Sequence, residues 1–217
     1  QGFGKELTIP QLGDVFLSLQ DQGAHNINLV TATQYLPSVI AALDLIKHKL
    51  VIPVVYNCGG YERVEIVREL ADYVDIWLPD LKYESSELSA RYSQAPFYFQ
   101  AAAKAIAQMI RQTGNPHLKK IPGEAAPVMD RGVIIRHLVL PGSKDDSIRL
   151  MHWIAEQLPK DSFYISLMSQ YTPQPGAEGN LRRHVTRAEY RAAVAYMENC
   201  GITDGYTQER TSAKEEY

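Results

Sequence analysis

The sequence predicts an α/β fold built on a parallel sheet, and three observations lead to this prediction. Short apolar runs typical of buried strands alternate with segments whose apolar residues recur at helical spacing. Helices separate the five predicted strands, as crossovers between parallel strands require. No Gly-x-Gly-x-x-Gly motif follows any strand, which favours a β/α barrel over a doubly wound sheet.

The first half of the chain contains three of these strands. A helix begins at Thr8, where Gln11 completes a capping box and Pro10 occupies the first turn. Strands are predicted at residues 27–30, 52–56 and 76–78, and further helices follow Pro37 and include Val64, Val67 and Leu70.

The second half contains the other two strands. An alanine-rich helix is predicted at residues 101–113 and ends at Gly114. Residues 115–130 contain three prolines and no periodicity, so we expect a loop or small insertion there. The remaining strands are predicted at residues 133–140 and 163–168, with a helix between them and a last helix that begins with a capping box at Thr186.

Composition limits the class of protein. The 217 residues are 45% apolar and 22% charged with a net charge of −3, which suits one folded domain over residues 1–217 and excludes dominant disorder. No apolar run reaches the length of a membrane span, and no signal peptide opens the sequence. The charge gives no reason to expect nucleic-acid binding. With only two cysteines, a reducing cytoplasm is the simplest expectation.

The two cysteines and six histidines predict no metal site within this chain. Cys58 and Cys200 cannot alone hold an iron–sulfur cluster or a structural zinc. Cys58 is interpreted as a small apolar filler, because no histidine lies near it in the sequence. His137 lies in an apolar strand and is interpreted as a hydrogen-bonded core or surface histidine.

Polar residues follow the predicted strands at their carboxyl ends, where parallel α/β folds build their sites. Because these ends meet along one rim, we expect the polar side chains to converge there. The candidates are Thr31 and Thr33 after the first strand, Asn57 after the second, Asp80 and Lys82 after the third, Arg136 within the fourth, and Gln170 after the fifth.

Each candidate also has a purely structural interpretation. Asp80 and Lys82 are two residues apart on one strand face, and a plain ion pair would explain them. Asn57 precedes two glycines, which suit a turn as well as a close approach to a ligand. Arg136 is the hardest to explain structurally, because a buried guanidinium requires an acidic partner or an anionic ligand.

Five runs of the chain together resemble the radical S-adenosylmethionine (SAM) proteins, in particular homologues of pyruvate formate-lyase activating enzyme. They read HNINLVT at 25–31, VYNCGGY at 55–61, DIWLPDLKY at 75–83, IRHLVLPG at 135–142 and MSQY at 168–171. The resemblance covers essentially the whole chain, and it implies a partial β/α barrel, often six-stranded.

The resemblance also implies a chemistry. Such proteins hold a four-iron four-sulfur cluster on a Cys-x3-Cys-x2-Cys motif, and the cluster reductively cleaves SAM to methionine and a 5′-deoxyadenosyl radical. That radical abstracts a hydrogen atom, which in true activases comes from a glycine of a partner enzyme. A glycyl radical enzyme or another protein substrate is therefore the expected partner.

The resemblance assigns roles to the candidate residues, all of them in SAM binding. Thr31 and Thr33 fall where many relatives have a Gly-Gly-Glu segment that contacts the methionine amino group. Asp80 and Lys82 match an Asp-x-Lys pair near the methionine carboxylate. The other matches are Asn57 at a strand end near SAM, Arg136 facing the SAM pocket, and Gln170 close to the adenine.

The chain departs from the family in one respect, because it lacks Cys-x3-Cys-x2-Cys. It opens with a helix that should follow a strand, and five strands are too few to close an eight-stranded barrel. The polar tail at residues 208–217 adds no further element. We therefore expect a barrel truncated at its N-terminus, inactive alone, with an exposed edge strand through which copies self-associate.

Three hypotheses remain open. The chain is either the core of a radical SAM enzyme or a non-catalytic binding module derived from such a barrel. A third hypothesis is a β/α-barrel lyase or aldolase that uses Lys82 as a Schiff-base amine, which would require burial or cationic neighbours to favour the neutral amine.

Overall fold

The structure is a computed structural model that describes residues 4–207. The predicted polar tail at residues 208–217 lies outside this range, as do the first three residues. Within the described part, no helix combines the length and the apolar character needed to cross a membrane.

Helices and strands alternate along the described chain. The helices are α1 (Ile9–Asp21), α2 (Leu36–Ile46), α3 (Val64–Glu69), α4 (Ser86–Ser93), α5 (Tyr98–Thr113), α6 (Lys144–Gln157) and α7 (Arg187–Asn199). The strands are β1 (Ile27–Val30), β2 (Val54–Cys58), β3 (Ile76–Pro79), β4 (His117–Lys119), β5 (Val128–Leu138), β6 (Tyr164–Met168) and β7 (Gly205–Thr207).

Six of the strands form one parallel sheet in the order β1-β2-β3-β5-β6-β7, and β4 pairs antiparallel with β5. The spatial order of the parallel strands follows the chain order, so every crossover moves in the same direction. Crossovers of one hand then place the helices on one face of the sheet. In a doubly wound sheet the strand order would reverse direction at some point. The observed strand order does not, so it agrees with the predicted partial β/α barrel.

Local sequence accounts for the boundaries of the helices. Both predicted capping boxes are present, since the Thr8 and Thr186 side chains cap α1 and α7 while Gln11 and Glu189 reach back to the cap residues. Each such cap stabilises its helix by about 1 kcal/mol.

The two faces of the sheet have different surroundings. The larger core cluster joins residues of the helices to the strand residues on the outer face, among them Trp77, Ile135 and Ile165. A smaller cluster on the opposite, concave face contains strand residues only, around Val55 and Ile76. The concave face is therefore free of helices in the described part of the chain.

The structure corrects the predicted element list at three places. Residues 115–130 are not merely a loop, because they contain β4 and the first residues of β5, which begins at residue 128 and not at 133. The three-residue strand β7 and the helix α4 were not predicted. All residues of β4 and β7 are exposed, so neither strand has an apolar pattern that sequence analysis can detect.

Candidate functional site

The candidate site lies on the concave face, at the carboxyl ends of the central strands. Asn57 on β2 is in register with Leu78 on β3, two residues before Asp80. Asp80 itself forms a parallel bridge with Arg136 of β5. Because side chains alternate along a strand, Asn57, Asp80 and Arg136 all point to the same face. The predicted convergence of these residues is confirmed.

Arg136 is the centre of this group. Its Nη2 donates to Asp80 Oδ1 at 2.6 Å and to Asn57 Oδ1 at 2.6 Å. The predicted acidic partner of the guanidinium is therefore present. The Arg136 Nε atom is buried and has no hydrogen-bond partner among the described residues. One donor of this guanidinium thus has no acceptor among the described residues, although the side chain as a whole is 24% exposed.

Lys82 adds a second positive charge beside the same carboxylate. Its Nζ lies 3.5 Å from Asp80 Oδ2, and its side chain is 44% exposed, against 22% for Asp80. Two cations share one carboxylate, so the group of Asp80, Lys82 and Arg136 has a surplus of one positive charge. At a partly buried position such a surplus attracts an anion, and a carboxylate matches the planar donors of arginine.

The threonines lie at the neighbouring end of the rim. The Thr31 amide donates to Asn57 O at 3.0 Å, and its φ of +50° is in the left-handed region, where a β-branched residue stores about 1–3 kcal/mol of strain. Thr33 Oγ1 lies 2.9 Å from the Tyr56 hydroxyl and 3.4 Å from Glu62 Oε1. Burial raises the pKa of Tyr56 to about 12, so the hydroxyl remains a donor at neutral pH.

Glu62 is a site residue that sequence analysis missed. It is half-buried, and burial raises the pKa of its carboxyl group, although the hydrogen bond from Thr33 opposes this. Among the described residues, no basic side chain lies within ion-pairing distance of it. Its only sequence signal is an acidic residue just after the glycines that follow β2, and its proximity to Thr33 depends on the fold.

Gln170 is not brought into this group. It lies two residues beyond the end of β6, is exposed, and makes no hydrogen bond within the described part of the chain. The predicted role near an adenine therefore stays a prediction.

Two nearby residues have structural roles, as predicted. His137 is fully enclosed, with Nδ1 2.7 Å from Leu81 O and Nε2 2.8 Å from Ser147 Oγ, and burial lowers its pKa. Cys58 is buried, and desolvation raises its pKa to about 12, so the reactive thiolate is disfavoured.

The described residues contain no group of three or more histidine, cysteine or acidic side chains arranged to hold a metal ion. Lys82, the candidate Schiff-base residue, is exposed beside a carboxylate. It therefore lacks the burial that such a mechanism requires.

Comparisons with known proteins bear on the class of the fold. A domain of pyruvate-formate lyase-activating enzyme from Bacteroides vulgatus aligns with a TM-score of 0.57 and 13% identity, over 85% of this chain and 98% of that domain. SuiB from Streptococcus suis, in a structure bound to S-adenosylmethionine, aligns with a TM-score of 0.55 and 12% identity, over 100% of this chain and 48% of SuiB. At 13% and 12% identity these likenesses establish that the chain shares the fold of the two proteins.

Sequence comparison adds one relative. An uncharacterized protein of Methanocaldococcus jannaschii is 29% identical over 182 residues, which cover 82% of this chain and 47% of the relative. The chain thus spans about half the length of the curated relative it matches. No model of a known protein family matches the sequence.

Proposed function

We propose that this chain is the SAM-binding core of a radical SAM enzyme that resembles pyruvate formate-lyase activating enzyme. The observation that supports the proposal most directly is the group of Asp80, Lys82 and Arg136 on the concave rim. It combines a surplus positive charge with an unpartnered buried donor, Arg136 Nε. SuiB, which shares this fold, was solved with S-adenosylmethionine bound, and this makes SAM the ligand to consider first.

The residues of the rim suit the amino-acid end of SAM, which is a zwitterion. Its carboxylate would accept from the part-exposed Arg136 guanidinium and from Lys82 Nζ, both charged donors. Its ammonium group would face Thr33 and Glu62, whose half-buried carboxylate pairs with no basic side chain of residues 4–207. Asn57 would orient the guanidinium through its hydrogen bond to Nη2. Thr31 and Gln170 retain the roles that the resemblance implies, as proposals.

An iron–sulfur cluster does not fit the residues of this chain. Four iron atoms bound by Cys-x3-Cys-x2-Cys need three thiolates, and the sequence has two cysteines, one of them buried with its pKa raised to about 12. Thiolate ligands for a cluster would have to come from outside these 217 residues. In radical SAM enzymes the cluster supplies the reductive cleavage of SAM. The described residues account for the binding of SAM and not for its cleavage.

The lack of cluster ligands supports a second candidate function. A non-catalytic binding module with this fold would keep the ligand rim and need no cluster. The coding sequence upstream of Gln1 distinguishes the two. We expect Cys-x3-Cys-x2-Cys within a short distance upstream if the parent protein is a radical SAM enzyme, and its absence would favour the binding module. Activation of a glycyl radical enzyme and self-association through the edge strand β1 stay proposals.

Calorimetric titration of the purified chain with SAM tests the proposal. We expect the chain to bind SAM, and Arg136→Met to weaken binding about ten- to a hundredfold, since a hydrogen bond to a charged group contributes about 1.5–3 kcal/mol. Arg131→Met is the matched control. Arg131 lies on the same strand about 17 Å away and donates to Thr113 O at 3.0 Å, remote from the rim.

The control should bind SAM like the wild-type chain. If the wild-type chain does not bind SAM, or if both arginine variants bind it equally, the assignment of this rim to SAM is wrong.

A further inference from the structure

The Tyr98 side chain lies beneath the rim, between the segments that follow β2 and β3. Tyr98 is the first residue of α5 and is 3% exposed. Its hydroxyl accepts a hydrogen bond from the Lys82 amide at 3.0 Å. Two carbonyl oxygens face the same hydroxyl, Asp80 O at 2.7 Å and Gly59 O at 2.9 Å. One side-chain oxygen thus contacts backbone groups of both segments.

The hydroxyl remains a donor under all ordinary conditions. Burial raises the pKa of Tyr98, and the negative charge of Asp80 adds to the increase. Its single proton is available to either carbonyl, while its lone pair accepts the Lys82 amide. Partly buried backbone groups of this kind require partners, and the Tyr98 hydroxyl bonds the Lys82 amide and shares its one proton between the two carbonyls.

Close packing reinforces this junction. Gly60 has a φ of +80°, and a Cβ atom added there would lie 2.0 Å from Asp80 O and 3.0 Å from the Tyr98 hydroxyl. The two segments approach this closely only because residue 60 is glycine. The Tyr98 ring is fixed by Tyr61, which stacks on it at 6.0 Å, and by Tyr83, which meets it edge-on at 5.7 Å.

We infer that Tyr98 is a positioning residue whose hydroxyl holds the segment after β2 against the segment after β3 through hydrogen bonds to both. This link, called the lock below, keeps Asn57 and the Asp80–Lys82 pair at a fixed spacing. Tyr98 does not itself face the concave surface, and it acts through the backbone of the residues that do. The lock is a property of the fold. Its consequence for ligand binding rests on the proposed SAM site.

Hydrogen–deuterium exchange tests the lock without a ligand. Tyr98→Phe removes only the hydroxyl and keeps the ring that Tyr61 and Tyr83 contact. We expect about tenfold faster exchange of the Lys82 amide, from the loss of one hydrogen bond, and faster exchange in the segment at residues 58–62 as well. Unchanged exchange in residues 58–62 would overturn the inference, because the two segments would then be independent.

Tyr190→Phe is the matched control. Its hydroxyl donates to Leu167 O at 2.9 Å, so it also joins a helix to a strand, away from the Asp80–Lys82 segment. We expect this variant to leave exchange at residues 58–62 and at Lys82 unchanged. If it accelerates exchange there as much as Tyr98→Phe does, the effect reflects general loosening and the inference is wrong.

SAM affinity provides a second readout that general destabilisation would not produce. We expect Tyr98→Phe to weaken SAM binding about three- to tenfold in the wild-type background. In an Asp80→Asn, Lys82→Met background the same change should alter SAM affinity less than twofold, because the two charged side chains that Tyr98 positions are then absent. Equal losses in both backgrounds would contradict the positioning role. If the wild-type chain does not bind SAM, the proposed function fails, and the exchange measurement still decides the lock.

Discussion

The two faces of the sheet differ in what covers them, and adjacent residues of β5 show the difference. His137 points to the helix-covered face, and both of its ring nitrogens have partners within the protein. Arg136 points to the concave face, and its buried Nε has none among the described residues. An unpartnered buried donor does not by itself distinguish the faces, because Trp77 Nε1 on the outer face also lacks a partner among the described residues. The difference is that helices pack on the outer face, whereas the Arg136 guanidinium lies at a rim that no helix of the described residues covers.

The largest expected effect tests the outer face. Trp77→Ala should lower the free energy of unfolding by about 3–5 kcal/mol, because it removes a large, fully buried side chain that packs edge-on against Tyr56 at 5.5 Å. Leu78→Ala is the matched control, since Leu78 is the next residue of β3 and lies half-buried on the concave face.

Urea unfolding of both variants makes this comparison. We expect Leu78→Ala to cost less than half as much as Trp77→Ala. Equal losses would mean that the concave face is packed as fully as the outer one, and the contrast between the faces would be wrong.

A smaller effect is expected at the junction of the rim segments. Gly60→Ala introduces a Cβ atom 2.0 Å from Asp80 O in a backbone of positive φ, whereas Gly23 has a similar φ of +85° with no atom within 4 Å of an added Cβ. Gly60→Ala should therefore cost a further ~1–3 kcal/mol beyond Gly23→Ala.

Thermal or urea unfolding measures this difference in stability, and titration with SAM measures its effect on the site. We expect Gly23→Ala to leave affinity unchanged and Gly60→Ala to reduce it. Similar losses of stability in both variants would show that the rim segments adjust without strain.

The same contrast between the faces explains what the sequence could predict. The strands β1, β2, β3, β5 and β6 were found because burial of their outer face requires apolar runs. The strands β4 and β7 were missed because each has three exposed residues. Helix α4 was missed because only Ser89 of its residues is buried, which leaves almost no apolar stripe.

The site was predictable in its residue types but not in its pairings. Asp80 and Arg136 were expected at one rim because both are at or near the carboxyl ends of strands. Their direct contact depends on the register between β3 and β5, which are far apart in the sequence. Glu62 carries no periodic signal at all, and only the turn that brings it to Thr33 makes it a candidate.

The smallest expected effect concerns two glutamates in opposite settings, Glu62 on the rim and Glu189 at the start of α7. Burial raises the pKa of Glu62 above its ordinary value of 4.5. The charged form is therefore disfavoured in the folded state, and stability is lost as pH rises through that pKa. Arg183, 2.7 Å away, holds the pKa of Glu189 well below the ordinary value, so its stabilisation is present above pH 4.5 and is lost at lower pH.

Substitution by glutamine should consequently have opposite signs at the two positions. Glu62→Gln is expected to increase the free energy of unfolding at pH 7, and this gain should shrink as pH falls below 4.5. Glu189→Gln is expected to decrease it at pH 7, although glutamine preserves the capping box, and this loss should shrink in acid. Urea unfolding between pH 3 and pH 8 measures both. A loss of stability for Glu62→Gln at pH 7 would show that the Glu62 carboxylate has a stabilising partner within the protein, and the rim would then lack a free acceptor for the SAM ammonium group.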